Sequence, residues 1–155
     1  MENIYQSECQ LRIKADPSTC YETLCDCSRF PDWFDCVRTV DVVDRHEDGK
    51  PRRVRYQFDA VLRQGFDVIL SKQYDDANRT ITFVMRDEDR REVSGYCTVE
   101  PGDRGGARAT FYCRAALDFP FPPMVSSMFE ERFAQAVLGY IRDAAEGRSC
   151  MAVAM

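Results

Sequence analysis

The chain has 155 residues, 45% of them apolar and 30% charged, a balance that fits one globular domain and not a disordered chain. Its formal net charge of −5 argues against a basic surface that would neutralise phosphates, so we expect no nucleic-acid partner. No run approaches the ~20 apolar residues that cross a bilayer, and the N-terminal stretch lacks the apolar core of a signal peptide. We therefore predict a cytoplasmic protein without a transmembrane segment, with one domain over residues 1–147 and a short tail over 148–155.

The predicted elements begin with a strand over residues 4–15. Asp16-Pro17-Ser18 then indicates the start of a helix, because aspartate is a favoured cap and proline suits the first turn. The helical pattern covers residues 17–30 and is broken by Pro31.

Six further stretches alternate between apolar and polar residues, as strands do when they bury one face. They are residues 36–45, 53–62, 66–74, 80–86, 92–100 and 107–119. Because short turns join them, they predict an antiparallel meander.

The C-terminal region predicts a long amphipathic helix. From about Pro122 the apolar period changes from two residues to about 3.6, and about 24 residues at 1.5 Å each give a length of roughly 36 Å. The predicted apolar stripe consists of Val125, Met128, Phe129, Phe133, Ala136, Val137, Tyr140, Ile141 and Ala144. We predict an α+β fold in which this helix covers the concave face of a curved seven-stranded antiparallel sheet.

Three stretches in this order resemble segments of a known family. They are LCDCSRFPDWFDCV (24–37), VSGYCTVEP (93–101) and the proline-rich start of the terminal helix, LDFPFPPMVSSMFEERFAQAVLGYIRDAAE (117–146). Tyr96 stands where the family more often has tryptophan. The chain is similar to the START-like or SRPBCC superfamily, and within it to the polyketide cyclase or coenzyme Q-binding branch.

The resemblance implies the helix-grip fold, with two short helices after the first strand. It also implies a cavity between the terminal helix and the sheet that holds an apolar or aromatic small molecule. It implies no particular reaction, because this fold is shared by carriers, cyclases, hydrolases and toxin-like proteins.

The alternation assigns one face of the sheet to this cavity, and we expect its lining to contact the ligand. The predicted ligand-binding residues are Trp33, Tyr56, Phe58, Phe66, Val68, Phe83, Met85, Gly95, Cys97, Phe111, Cys113, Phe119, Phe121, Met124, Met128, Phe129 and Phe133. A filled core explains at least half of them equally well, whereas the small residues on adjacent strands favour a cavity. Phe119 and Phe121 would form an apolar lip at its rim, and Trp33 is either an anchor for the short helices or a gate.

Groups suited to catalysis are few. Tyr56 and Tyr140 could orient a ligand oxygen, or they could be core tyrosines with satisfied hydroxyls. Arg114 reaches the cavity only if the strand alternation slips at a bulge. The single imidazole, His46, lies in a hairpin turn, where we expect it to be exposed and not catalytic. The eight cysteines contain no C-x-x-C pair, so we expect reduced thiols, no metal and no cofactor.

The leading hypothesis is a protein that binds or carries an apolar small molecule, such as a lipid, a quinone or a polyketide, as a monomer or a homodimer. The alternative is a polyketide aromatase/cyclase or dehydratase that acts on a ligand in the same cavity, with Tyr56, Arg114 and Tyr140 as candidate catalytic residues. A third hypothesis is an interaction protein of the ribosome-associated toxin type, against which the acidic charge counts.

Overall fold

A computed structural model of the chain describes residues 3–26, 37–58, 66–86, 91–117, 120 and 123–147. The strands are β1 (Asn3–Ile13), β2 (Val37–Arg45), β3 (Pro51–Phe58), β4 (Phe66–Asp75), β5 (Thr80–Arg86), β6 (Glu92–Pro101) and β7 (Ala107–Leu117). The helices are α1 (Pro17–Cys25), α2 (Pro123–Met128) and α3 (Ala134–Ala145), with a π-helical turn (Phe129–Phe133) between the last two. The second predicted short helix lies outside the described residues.

All seven strands form one antiparallel sheet in the order β1-β7-β6-β5-β4-β3-β2. The first strand thus pairs with the last, and β1 and β7 stay in register from Asn3↔Leu117 to Ile13↔Ala107. At the other edge, the register between β2 and β3 shifts at three places, and such bulges bend a strand. The predicted α+β architecture, a seven-stranded sheet with a C-terminal helix, is confirmed.

The start of α1 follows the predicted capping chemistry. Asp16 is extended (φ −67°, ψ 154°), and its carboxylate accepts hydrogen bonds from Thr19 N at 3.2 Å and from Thr19 Oγ1 at 2.6 Å. These hydrogen bonds hold the pKa of Asp16 below its ordinary value. The cap directs Cys20 and Tyr21 towards the interior, where both are buried.

The terminal helix is not the continuous α-helix that the sequence predicts. Its π-helical turn contains more residues per turn than an α-turn, so every later side chain is rotated relative to an unbroken helix. The buried residues of α3 are therefore Ala134, Val137, Leu138 and Ile141. The predicted stripe is wrong at Ala136, which is exposed, and it misses Ala134 and Leu138.

The buried apolar side chains form two groups. The first group joins α1 and α3 to the sheet and contains Ile13, Cys20, Cys97, Val99, Ala107, Ala109, Phe111, Cys113, Ala134, Val137, Leu138 and Ile141. The second group consists of Val54 and Tyr56 on β3, against which Val42 and Leu70 pack. Val40 on β2 contacts both groups. Because α3 packs mainly on β1 and β7, and α1 on β6 and β7, the described helices cover one side of the concave face.

Candidate functional site

A chain of four phenylalanine rings, here called the aromatic row, crosses the inner face from β5 to the terminal helix. Phe83 stacks with Phe111 at 5.8 Å between ring centroids, and Phe111 meets Phe133 edge-on, also at 5.8 Å. Phe133 in turn stacks with Phe129 at 5.2 Å within the π-helical turn. Four of the predicted ligand-binding residues are thus joined by three successive ring contacts.

Gly95 on β6 makes the first of these stacks possible. It pairs with Phe83 on one side and with Cys113 on the other. A Cβ atom at this position would lie 2.6 Å from Cζ of Phe83 and still closer to the carbonyl oxygen of Tyr112. The sequence interpretation treated this glycine as one of several small residues that leave open space. The structure places the ring of Phe83 over it.

Two buried thiols flank the aromatic row. Cys97 pairs with Phe111, and Cys113 pairs with Gly95, so both lie on the inner face. Burial raises the pKa of each thiol to about 12. Both are therefore neutral at physiological pH and act as small apolar side chains.

Lys72 on β4 is a buried cation that the sequence interpretation missed. Only 8% of its surface is exposed, and its Nζ atom lies 5.4 Å from the ring centroid of Tyr56. The alternation that places Val68 and Leu70 on the inner face continues to Lys72, so the pattern contained the signal. Tyr56 itself is buried, as the sequence predicts for an inward position.

The charge of Lys72 reaches two thiols from different elements. Burial raises the pKa of Cys25, at the end of α1, to about 11, and the positive charges of Lys50 and Lys72 oppose that rise. The same charge opposes the rise at Cys97 on β6. The charge of Lys72 therefore acts on thiols of both α1 and β6.

His46 is not exposed as predicted but half-buried. Its Nε2 atom donates a hydrogen bond to the backbone carbonyl of Lys72 at 2.7 Å, and its ring meets Tyr74 edge-on at 5.7 Å. The turn between β2 and β3 therefore folds against the end of β4. This contact gives the imidazole a structural role.

The three candidate catalytic residues are not brought together. Arg114 alternates with the buried residues Cys113 and Ala115, and its strand keeps register with both neighbours, so its side chain lies on the outer face of the sheet. Tyr140 packs against the first core group, whereas Tyr56 belongs to the second.

Several predicted contacts cannot be placed. Trp33, Phe119 and Phe121 lie outside the described residues, and for Phe58, Phe66, Met124 and Met128 only the backbone is described. The apolar lip stays a prediction. Val68 and Met85 lie on the inner face as predicted.

A separate open cleft of about 800 Å³ lies at the end of the sheet. Its lining includes six charged residues, which are Arg12, Lys14, Asp16, Arg104, Arg142 and Glu146. The carboxylate of Glu146 accepts a hydrogen bond from Lys14 N at 2.8 Å, which ties the end of α3 to the start of α1. None of the predicted ligand-binding residues lines this cleft.

Within the described ranges, no three His, Cys, Asp or Glu side chains are grouped so that they could hold a metal ion. Among the helices that the structure describes, none combines the length and the apolar character needed to cross a membrane.

The family described as polyketide cyclase / dehydrase and lipid transport matches residues 13–139. The chain belongs to this family. Membership confirms the resemblance to the START-like superfamily and to its polyketide cyclase branch. No curated protein matches the chain significantly.

Solved structures share the fold of this chain over nearly its whole length. A START superfamily protein from Mycobacterium smegmatis has a TM-score of 0.67 at 18% identity, covering 93% of this chain and 96% of its own. The Zhui aromatase/cyclase from Streptomyces sp. R1128 has a TM-score of 0.73 at 16% identity, with 94% and 96% covered. A norcoclaurine synthase from Thalictrum flavum has a TM-score of 0.70 at 10% identity, with 95% and 97% covered. At these identities the likeness shows the fold alone.

Proposed function

We propose that this protein binds an apolar small molecule between the terminal helix and the concave face of the sheet. The main observation is that three phenylalanine rings on the inner face remain partly exposed. Phe83, Phe129 and Phe133 pack against the first core group yet remain partly exposed, whereas Val99 and Leu138 in the same group are 1% and 0% exposed. Rings that face inward and keep accessible surface are typical of a ligand site, which aromatic side chains usually line.

The π-helical turn supports the same site. It presents Phe129 and Phe133 to the sheet as a stacked pair, where an unbroken α-helix would place them differently. π-Helical turns are uncommon and recur at functional sites. We therefore interpret the π-helical turn as part of the ligand site and not only as a packing feature.

Family and fold suggest a hydrophobic ligand-binding or polyketide cyclase-like function. Among the ligand classes, the proposal includes lipids, quinones and polyketides. Of the two functions, the aromatic row favours binding or transport, because it supplies apolar contact and no group that transfers a proton.

Native mass spectrometry of gently purified protein tests this proposal. We expect either a co-purifying apolar ligand or the saturable uptake of one neutral apolar molecule, such as 1-aminoanthracene, per chain. A protein that stays empty and takes up no aromatic probe, fatty acid or quinone would overturn it.

One observation favours an enzymatic function as a second candidate. Tyr56 and Lys72 place a phenol and an ammonium group together on a largely apolar inner face, and such groups stabilise a developing enolate oxygen. A cyclase should convert a linear poly-β-ketone to a cyclised, dehydrated product detectable by mass. The absence of such a product with intact binding would leave the binding function alone.

A further inference from the structure

Ser7 and Lys72 are the polar side chains that the described part of the chain buries. Ser7 has a structural explanation, because its hydroxyl accepts a hydrogen bond from Ala134 N just after the π-helical turn. Lys72, in contrast, is a charged group. An ammonium group is among the costliest groups to move from water into a protein interior. A buried lysine on the inner face therefore indicates a function that needs its charge.

The lysine side chain extends along the inner face. Tyr56 is opposite Val68 across β3 and β4, which puts it four residues, or about 13 Å, from Lys72 along the strand direction. The Nζ atom nevertheless lies 5.4 Å from the ring centroid of Tyr56. The lysine side chain therefore extends towards Tyr56 along the inner face, whereas a surface lysine would turn its ammonium group to water.

The backbone of Lys72 lies beside the start of the aromatic row. Lys72 is opposite Phe83 across β4 and β5, and Phe83 is the first ring of the row. The thiols that feel its charge, Cys25 and Cys97, are neutral because burial raises their pKa to about 11 and about 12. Lys72 therefore brings a positive charge to the inner face beside Tyr56, and the aromatic row begins on the strand next to it.

We propose that Lys72 determines ligand specificity by binding an anionic oxygen at one end of an otherwise apolar ligand. The oxygen would be that of a carboxylate or an enolate, and the apolar body would lie along the aromatic row. This inference rests on the proposed binding function and adds a chemical class to it. In a site of low dielectric constant, a charge-assisted hydrogen bond is about twice as strong as a neutral one, so it selects among apolar ligands of similar size.

The test compares dodecanoate with dodecanol, which share a chain and differ in the charged end. Each displaces the neutral probe 1-aminoanthracene from the parent protein at neutral pH. We expect the parent to prefer dodecanoate by about tenfold or more, the size of one charge-assisted hydrogen bond. Lys72→Met should lose this preference and keep its affinity for dodecanol, whereas Lys72→Arg should retain part of it. Lys14→Met, which removes an exposed lysine, should behave like the parent.

The outcomes separate this inference from the function on which it rests. If neither 1-aminoanthracene nor dodecanol binds the parent, the proposed function fails. If dodecanol binds the parent as tightly as dodecanoate does, or if Lys72→Met keeps the preference, only the role of Lys72 is overturned. The comparison of the two ligands in the parent decides the inference even if Lys72→Met does not fold.

Discussion

The hydroxyl oxygen of Ser7 accepts a hydrogen bond from the backbone N–H of Ala134 at 3.0 Å, and 127 positions separate the two residues. In an unbroken α-helix this N–H would donate to the carbonyl of Glu130. The i→i+5 pattern of the π-helical turn moves the backbone acceptor back to Phe129, and Ser7 on β1 provides a further acceptor. The first strand therefore holds the terminal helix at the residue where its buried face changes.

Ser7→Ala removes this acceptor from the buried N–H group of Ala134. We expect the free energy of unfolding to fall by about 0.5–1.5 kcal/mol, the usual net contribution of one hydrogen bond. Urea unfolding followed by circular dichroism measures it. Ser127→Ala, at an exposed position of α2, is the matched control and should change little. Equal stability of the two variants would show that the hydrogen bond is dispensable.

Gly95→Ala places a methyl group where Phe83 and the Tyr112 carbonyl already lie. We expect a loss of about 1–3 kcal/mol or more in the free energy of unfolding, together with weaker binding of an aromatic probe because the ring of Phe83 must move. Gly139→Ala is the control, since nothing lies within 4 Å of a Cβ atom there. In the middle of α3 it should raise stability by about 0.5–1 kcal/mol. A tolerated Gly95→Ala would contradict the tight approach of the ring.

Asp44 should contribute to the loss of stability in acid. Hydrogen bonds from Arg52 and Arg53 lower the pKa of its carboxyl well below its ordinary value of 3.8. Because the pKa is lower in the folded state, the ionised group stabilises the fold above pH 3.8, and this contribution is lost as the pH falls through the folded pKa. Asp44→Asn should therefore lose less stability on acidification than the parent does. Asp41→Asn, an exposed position on the same strand, should follow the parent, and thermal melts over that pH range would show whether the two variants differ.

Cys97 and Cys113 should resist alkylation in the folded protein. Burial keeps both as neutral thiols, and the thiolate is the reactive form. Peptide mass mapping after iodoacetamide treatment should show modification at the partly exposed Cys9 well before these two positions, and at all three after denaturation. Rapid modification of Cys97 at neutral pH would mean that the inner face is open to solvent.

The sheet was predictable because its signal is local and repeated. Alternation with period two marks each strand, and Val68, Phe83 and Phe111 were all assigned to the inner face from it. The capping of α1 by Asp16 was predictable for the same reason, since it depends on residues within one turn.

The site was predictable only in part, because its decisive features depend on distant partners. The π-helical turn has no sequence period of its own. The hydrogen bond that follows it joins Ala134 to Ser7, 127 positions away, so no local pattern predicts it. Lys72 was missed because a charged residue is usually assigned to solvent, although the alternation placed it inward. The hydrogen bond from His46 to the Lys72 carbonyl likewise joins residues 26 positions apart.

The most direct test of the proposed site is a titration of 1-aminoanthracene into the parent, Phe133→Ala and Gln135→Ala. Phe133 holds the centre of the aromatic row, whereas Gln135 is exposed two residues further along the same helix. We predict saturable binding with enhanced, blue-shifted fluorescence for the parent and for Gln135→Ala. For Phe133→Ala, which loses the ring contacts with Phe111 and Phe129, we predict a dissociation constant higher by about tenfold or more. Equal affinity of all three proteins, or no saturable binding by the parent, would contradict a ligand site along the aromatic row.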